Sequence, residues 1–203
     1  MKYKLVFIDD HMQDGKNDAF VRAIGKKLSD AELTVFTDPN KGMKFIMDNL
    51  NSQMIAFIDC KFDGFEKQGT DLLKEIRKQT SLLYIVMMSA NNLKQIEGID
   101  ISAMINEDFI WFYDRNNGSN EEACALIQKI TQYWSSRFDC VLECWLVRHP
   151  EDKDKIAFRQ VSGESYTWEQ ILTELRLQTK IGRMFEQMIN QFYIYQLNGK
   201  ADE

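Results

Sequence analysis

The chain has 203 residues, of which 44% are hydrophobic and 28% are charged, and its formal net charge at pH 7 is −6. This length accommodates one core of about 100–150 residues and leaves roughly 60 residues for a second, smaller unit. The composition excludes a wholly disordered or collagen-like chain. Because the chain is acidic overall, it also lacks the excess of positive charge with which proteins usually attract nucleic acids.

The amino-terminal apolar run is too short to direct secretion. It covers residues 5–8 and is closed by Asp9 and Asp10, whereas a signal peptide needs a longer apolar region. No apolar stretch approaches the roughly 18 residues that span a bilayer. The four cysteines form no CxxC pair, and neither histidine completes a zinc spacing. We therefore expect a cytoplasmic protein without a membrane segment.

Apolar runs alternate with amphipathic stretches over the first 112 residues. The apolar runs are uninterrupted, as in strands buried on both faces, and the amphipathic stretches have helical spacing. We predict strands at 4–8, 33–36, 54–58, 82–88 and within 105–112, and helices at 17–29, 41–50, 69–79 and, weakly, 92–98. This alternation is typical of an α/β fold with a doubly wound, five-stranded parallel sheet.

Residues 121–147 contain neither glycine nor proline. Apolar side chains recur there every three or four positions, at Ala123, Ile127, Ile130, Trp134, Phe138, Val141 and Trp145. The spacing predicts one long helix of about 40 Å. The alternative is a break near Phe138 into a helix and a strand, because residues 139–147 are also compatible with a strand.

The remainder of the chain is predicted to be mainly helical. Pro150 ends the long helix, residues 156–161 are compatible with a short strand, and Thr167 is suited to cap a helix through Leu175. A final helix covers 181–197. The predicted division is a domain at 1–137 and a C-terminal helical output or interaction region at 138–203.

The last two predicted helices could form a helix-turn-helix, but their charge disfavours DNA binding. Residues 139–203 contain 8 Lys and Arg against 11 Asp and Glu, whereas a recognition helix needs a basic face. The hypothesis favoured for this region is contact with an unknown protein partner. A dimerisation arm, which would make the chain a homodimer, is the alternative.

Acidic and hydroxyl side chains follow three of the predicted strands. Asp9 and Asp10 follow the first strand, Asp59 the third and Ser89 the fourth. The carboxyl ends of parallel strands share one edge of the sheet. Clustered carboxylates repel one another unless a cation lies between them, and Mg²⁺ prefers such oxygen ligands. A free carboxylate and a hydroxyl beside Mg²⁺ would suit phosphoryl transfer.

Four segments together resemble the receiver domain of bacterial two-component response regulators. They are LVFIDDH, MIAFIDC, YIVMMSA and GTDLLKEIR, and the resemblance covers about residues 1–135. It implies a five-stranded doubly wound domain that accepts a phosphoryl group on an aspartate. The donor would be a histidine kinase or a phosphotransfer protein. The chain would then be a regulatory protein rather than an enzyme, with at most autodephosphorylation.

The resemblance also implies a role for each matching position. The implied cofactor is Mg²⁺, held by carboxylates and one backbone carbonyl. The implied roles are Asp59 as phosphoacceptor and metal ligand, Asp9 and Asp10 as metal ligands, Lys61 as the carbonyl ligand, Ser89 as switch hydroxyl and Phe109 as switch aromatic on the fifth strand.

The chain departs from the family at the end of the fifth strand. The family has a lysine there that pairs with the phosphoryl group, whereas alignment of residues 108–115 places Phe112 at that position, or Trp111 after a shift of one. The nearest cations in sequence are Lys61, Lys94 and Arg115. The family's proline after the phosphoacceptor is also missing. The missing lysine keeps an alternative function open, a degenerate receiver that acts as a phosphorylation-independent scaffold or interaction module.

Overall fold

The structure is a computed structural model that describes residues 2–12, 18–90, 104 and 107–198. The chain divides into two compact units, Met1–Tyr133 and Trp134–Glu203. The division falls four residues before the boundary predicted from the sequence. The predicted helix at 92–98, and Lys94 within it, lie outside the described residues.

The first unit is built on a five-stranded parallel sheet. The strand order is β2-β1-β3-β4-β5, and every neighbouring pair is parallel. The strands are β1 (Tyr3–Ile8), β2 (Ala31–Phe36), β3 (Met54–Asp59), β4 (Tyr84–Ser89) and β5 (Ile110–Asp114). The predicted fold class, an α/β fold with a five-stranded parallel sheet, is confirmed.

Four helices of this unit are described, and an aspartate side chain caps the start of two of them. They are α1 (Ala19–Lys27), α2 (Pro39–Asp48), α3 (Gly69–Arg77) and α4 (Asn120–Trp134). The side chains of Asp18 and Asp38 accept hydrogen bonds from the first backbone N–H groups of α1 and α2, which have no partner within the helix. Pro39 then occupies the first turn of α2, where its missing N–H costs nothing.

The core lies along the central strands β1, β3 and β4. Their apolar side chains are almost completely buried, and the rings of Phe7 and Phe57 stack at 5.0 Å between neighbouring strands. Strands covered on both faces need apolar residues at every position. The uninterrupted apolar runs therefore predicted these three strands correctly.

The prediction of one long helix at 121–147 is wrong. Helix α4 ends at Trp134, and a separate helix α5 (Phe138–Arg148) begins after three residues. Arg137 is extended (φ −83°, ψ 129°), and its guanidinium binds the carboxylate of Asp139 in the first turn of α5. One continuous helix with the predicted apolar face would bury Val141, but this side chain is 48% exposed. The reason is that α5 directs Leu142 and Leu146, and not Val141, into the core of the second unit. The alternative located the break correctly, but the second segment is a helix and not a strand.

The second unit packs three helices and a hairpin around Phe185. After a 3₁₀ turn, β6 (Ile156–Arg159) pairs antiparallel with β7 (Ser165–Thr167), followed by α6 (Trp168–Arg176) and α7 (Lys180–Asn198). Thr167 caps α6 as predicted, accepting a hydrogen bond from the Gln170 N–H. The buried guanidinium of Arg176 binds Asp139 and Glu143 of α5 at 3.2 and 2.7 Å. This charge-paired contact holds α6 against α5.

None of the helices in the described ranges combines the length and the apolar character needed to cross a bilayer.

Candidate functional site

The structure brings the acidic side chains together at the carboxyl edge of the sheet. Asp9 follows β1 directly, and Asp59 is the last residue of β3. Ligand atoms of Asp9, Asp10, His11 and Asp59 all lie within 4.8 Å of one another. Ser89, the last residue of β4, is buried at the same edge.

Asp9 is fully buried, and both of its oxygens are engaged. The backbone N–H of His11 donates to Oδ1 at 2.8 Å. Oδ2 forms an ion pair with the guanidinium of Arg115. A buried carboxylate needs such partners, because removal from water penalises its charge.

Asp10 retains one oxygen without a donor. Its side chain is only 10% exposed, and Oδ2 accepts the backbone N–H of Asp63 at 2.8 Å. Oδ1 is buried and receives no hydrogen bond from the part of the chain that the structure describes. The imidazole Nδ1 of His11 lies 3.3 Å from it but lacks hydrogen-bond geometry. An unsatisfied buried carboxylate oxygen beside two further carboxylates fits a hard cation such as Mg²⁺.

His11 lies at the solvent side of this cluster. Its other ring nitrogen, Nε2, is 3.2 Å from Asp63 Oδ2, and the side chain is largely exposed. The negative charge of Asp10, followed by that of Asp63, raises the pKa of His11. Imidazole is a poor ligand for Mg²⁺, so His11 bridges two carboxylates at the rim.

Asp59 has an unusually high pKa of about 7. Burial is the largest cause, and the negative charge of Asp9 adds to it. Hydrogen bonds from the backbone N–H groups of Cys60 and Lys61, and the charge of Arg115, act in the opposite direction. A cation among these carboxylates would favour the ionised form of Asp59.

The start of α3 packs directly against the end of β3. A Cβ at Gly69 would lie 2.1 Å from the carbonyl oxygen of Asp59, and the Gly69 N–H donates to the Cys60 carbonyl at 3.2 Å. Only glycine permits this approach, which fixes the loop that follows Asp59. The side chain of Lys61 in this loop points to solvent.

The end of the fifth strand places the positively charged side chain of Arg115 at the site. The register pairs Phe112 with Met87 and Asp114 with Ser89, so Arg115 is the first residue beyond the strand. Its N–H donates to the Ser89 carbonyl at 2.8 Å. The alignment that placed Phe112 or Trp111 at the strand end is therefore wrong.

Similar solved structures share the architecture of the first unit. A signal receiver domain of an HD domain-containing protein from Pseudomonas fluorescens Pf-5 is 13% identical with a TM-score of 0.51, and the match covers 68% of this chain and all of that one. NtrX from Brucella abortus, solved in complex with ATP, is 18% identical with a TM-score of 0.50, over 87% of this chain and 33% of that one. A response regulator receiver domain protein from Clostridium thermocellum is 19% identical with a TM-score of 0.48, and the match covers 63% of this chain and 92% of that one.

The first unit has the receiver-domain fold. At these identities the likeness concerns the fold alone. A scan against protein-family models finds no match, and a search of the curated proteins finds none either.

Phe109 does not occupy the expected place in this receiver fold. It precedes β5 by one residue, with a left-handed backbone (φ 56°), and its carbonyl accepts the N–H of Ile85 near the start of β4. Phe109 thus lies at the amino edge of the sheet, opposite the acidic cluster. The prediction that it lies on the fifth strand is wrong. Trp111 is the aromatic residue on β5 that stacks with Tyr84 at 5.5 Å and Tyr133 at 6.5 Å.

Sequence reasoning missed the parts played by His11, Asp63 and Arg115. His11 and Asp63 follow acidic strand ends, so their proximity to the cluster could have been inferred from chain position. Arg115 was one of three cations considered in place of the missing lysine. Only the observed register of β5 shows that Arg115 lies at the site.

Proposed function

We propose that this chain is a response regulator that accepts a phosphoryl group on Asp59 from a histidine kinase or a phosphotransfer protein in the presence of Mg²⁺. The observation that supports the proposal is the cluster of Asp9, Asp10 and Asp59 at the carboxyl edge of a receiver fold. The unsatisfied Oδ1 of Asp10 supports a cation in that cluster. The role would be regulatory, with the phosphoryl group as the signal.

The proposed reaction is a displacement at phosphorus. A carboxylate oxygen of Asp59 forms the new P–O bond as the P–N bond to the donor histidine breaks, and the histidine nitrogen keeps the electron pair. Asp9, Asp10, Asp59 and the Lys61 carbonyl would hold Mg²⁺, which supplies positive charge beside the phosphoryl oxygens. The Ser89 hydroxyl would donate to one of those oxygens.

Acetyl phosphate provides a direct test of the phosphoacceptor. We expect the wild-type chain with Mg²⁺ to gain the mass of one phosphoryl group in intact-protein mass spectrometry, and Asp59→Asn to gain none. Asp63→Asn is the matched control, because Asp63 is exposed and contacts the site through its backbone N–H and through His11. An unmodified wild-type chain, or equal modification of Asp59→Asn, would refute the assignment.

The Arg115–Asp9 ion pair favours a second candidate function. It compensates the buried charge of Asp9 without a metal, as expected of a degenerate receiver that serves as a constitutive scaffold. Size-exclusion chromatography with and without beryllofluoride and Mg²⁺ separates the two functions. A shifted elution volume supports the switch, whereas an unchanged volume together with absent Mg²⁺ binding supports the scaffold.

For the output we propose protein contacts made by the second unit, with a second copy of this chain on helix α7. The last turns of α7 carry apolar side chains on all sides, with exposed fractions of 55–74%: Phe192, Tyr193, Ile194, Tyr195 and Leu197. Residues 187–198 contain no charged side chain. Two copies could therefore pair along this stretch without burying a charge.

The exposed apolar area of this helix end is large enough for a weak dimer interface. Five large side chains with this exposure offer roughly 600 Å² per copy. Because they surround the helix, one partner helix covers only part of this area, which is the range of small, transient interfaces. Donors, acceptors and apolar rings are interspersed along the helix, so identical copies can satisfy one another's polar groups. DNA has no comparable attraction for an uncharged segment.

A further inference from the structure

Arg115 is fixed beside the acidic cluster by contacts at both ends of the residue. Its backbone N–H donates to the Ser89 carbonyl at 2.8 Å. Its guanidinium lies 5.8 Å from the centre of the Phe20 ring, within the range of a cation–π contact, and the side chain is only 25% exposed. The guanidinium is therefore part of the packed site.

Arg115 and a metal ion would require the same carboxylate. Asp9 Oδ2 binds the guanidinium, and Oδ1 already accepts the His11 N–H. Asp9 is also one of the residues whose ligand atoms lie within 4.8 Å of one another. Two cations on one carboxylate repel each other, and a buried site screens this repulsion poorly.

The two acids at the end of β1 are therefore not equivalent. Asp10 Oδ1 has no donor among the described residues, whereas Asp9 has a resident counter-ion. A cation can approach Asp10 Oδ1 without breaking a hydrogen bond, since the nearby His11 imidazole, at 3.3 Å, is exposed and makes none to this oxygen. It can reach Asp9 only against Arg115.

We propose that Arg115 is a resident counter-ion that competes with Mg²⁺ for Asp9, so that metal binding releases the guanidinium from this carboxylate. The inference rests on the proposed function, because it takes the same acidic cluster as the metal site. In the absence of metal, Arg115 stabilises the fold by compensating a fully buried charge. Once released, its guanidinium remains beside Asp59, whose carboxyl it already influences.

The test is a Mg²⁺ titration by isothermal calorimetry at constant ionic strength on the full chain. Arg115→Gln removes the competing charge, and we expect it to bind Mg²⁺ about tenfold or more tightly than the wild type. Arg115→Lys keeps a cation, and we expect an affinity much closer to that of the wild type. Arg22→Gln is the matched control, because it makes the same charge change at an exposed position on α1.

Thermal unfolding separates competition from a merely structural role. We expect Arg115→Gln to unfold at a lower temperature than wild type in EDTA and to recover most of the difference when saturated with Mg²⁺. A structural role alone would lower both temperatures equally and leave the affinity unchanged. Arg115→Lys provides the same comparison of unfolding temperatures with and without Mg²⁺ in a variant that keeps the positive charge opposite Asp9.

The outcomes distinguish this inference from the proposed function. Equal Mg²⁺ affinity of the wild type and Arg115→Gln, with binding lost in Asp10→Asn, would overturn the competition while leaving the metal site intact. Absence of Mg²⁺ binding in all variants would overturn both. Tighter binding by Arg115→Gln supports the competition even if acetyl phosphate leaves Asp59 unmodified.

Discussion

The buried carboxyl of Asp59 gives the first unit a specific dependence of stability on pH. Its pKa is about 7 in the folded chain, because of burial and the charge of Asp9, against an ordinary value of 3.8. Between these two values the unfolded chain releases a proton that the folded chain retains. The unfolded state thus gains relative stability as the pH rises from about 4 to about 7.

We therefore predict that Asp59→Asn stabilises the metal-free chain. The gain in free energy of unfolding should grow between pH 4 and pH 7 and stay constant above, at about 4 kcal/mol. Urea denaturation in EDTA at several pH values measures it. Asp63→Asn, at an exposed acid of the same site, should show no such growth. A gain that shrinks with rising pH would show that Asp59 is not the carboxyl with the raised pKa.

At the scale of elements, the close approach of α3 to β3 is possible because Gly69 has no side chain. A Cβ at Gly69 would collide with the carbonyl of Asp59, a backbone atom that cannot rotate away. Gly25, inside α1, differs in this respect: its Cβ would meet only the side chain of Leu33 at 3.6 Å, an ordinary contact. The two glycines thus have different physical reasons to be present.

The same substitution should consequently have opposite effects at these two positions. We predict that Gly69→Ala lowers the free energy of unfolding by about 2–4 kcal/mol, because the start of α3 must shift. Gly25→Ala should raise it by about 0.5–1 kcal/mol, because alanine favours a helix interior. Urea denaturation of both variants tests the pair. If both variants were destabilised alike, Gly69 would have no special packing role.

Three strands and the acidic or hydroxyl residues at their carboxyl ends could be predicted from the sequence, because buried parallel strands leave uninterrupted apolar runs. The fifth strand could not be placed, since residues 109–113 are all apolar or aromatic and do not mark a register. The register is set instead by backbone hydrogen bonds to β4, from Ile85 to Phe109 and from Arg115 to Ser89. The sequence therefore indicated the acids of the site but not its guanidinium.

The break between α4 and α5 was hidden for a related reason. Both helices bury apolar residues at helical spacing, and in the sequence this spacing continues without interruption across the three residues between the helices. The cores differ, however: α4 buries Ile127 and Ile130 in the first unit, while Leu142 of α5 belongs to the second. The spacing of apolar residues indicates that a helix has an apolar face, but it does not indicate which core that face packs against.

At the scale of the whole molecule, the uncharged end of α7 determines how two copies would associate. The helix is anchored in its own unit through Phe185, which is buried, whereas every described residue from 190 onward is exposed. Apolar side chains around the whole circumference of a helix are typical of a segment that a partner covers. The proposed partner is the same segment of a second copy.

We predict that the full chain is a dimer at micromolar concentration and that Ile194→Glu makes it a monomer, because pairing would then bury two like charges. Sedimentation equilibrium over a range of concentrations measures the mass. The matched control is Val161→Glu, which adds the same charge at a fully exposed apolar residue in the turn between β6 and β7, and it should stay dimeric. A monomeric wild type would refute self-pairing. If both variants dissociated, a general charge effect and not α7 would explain the association.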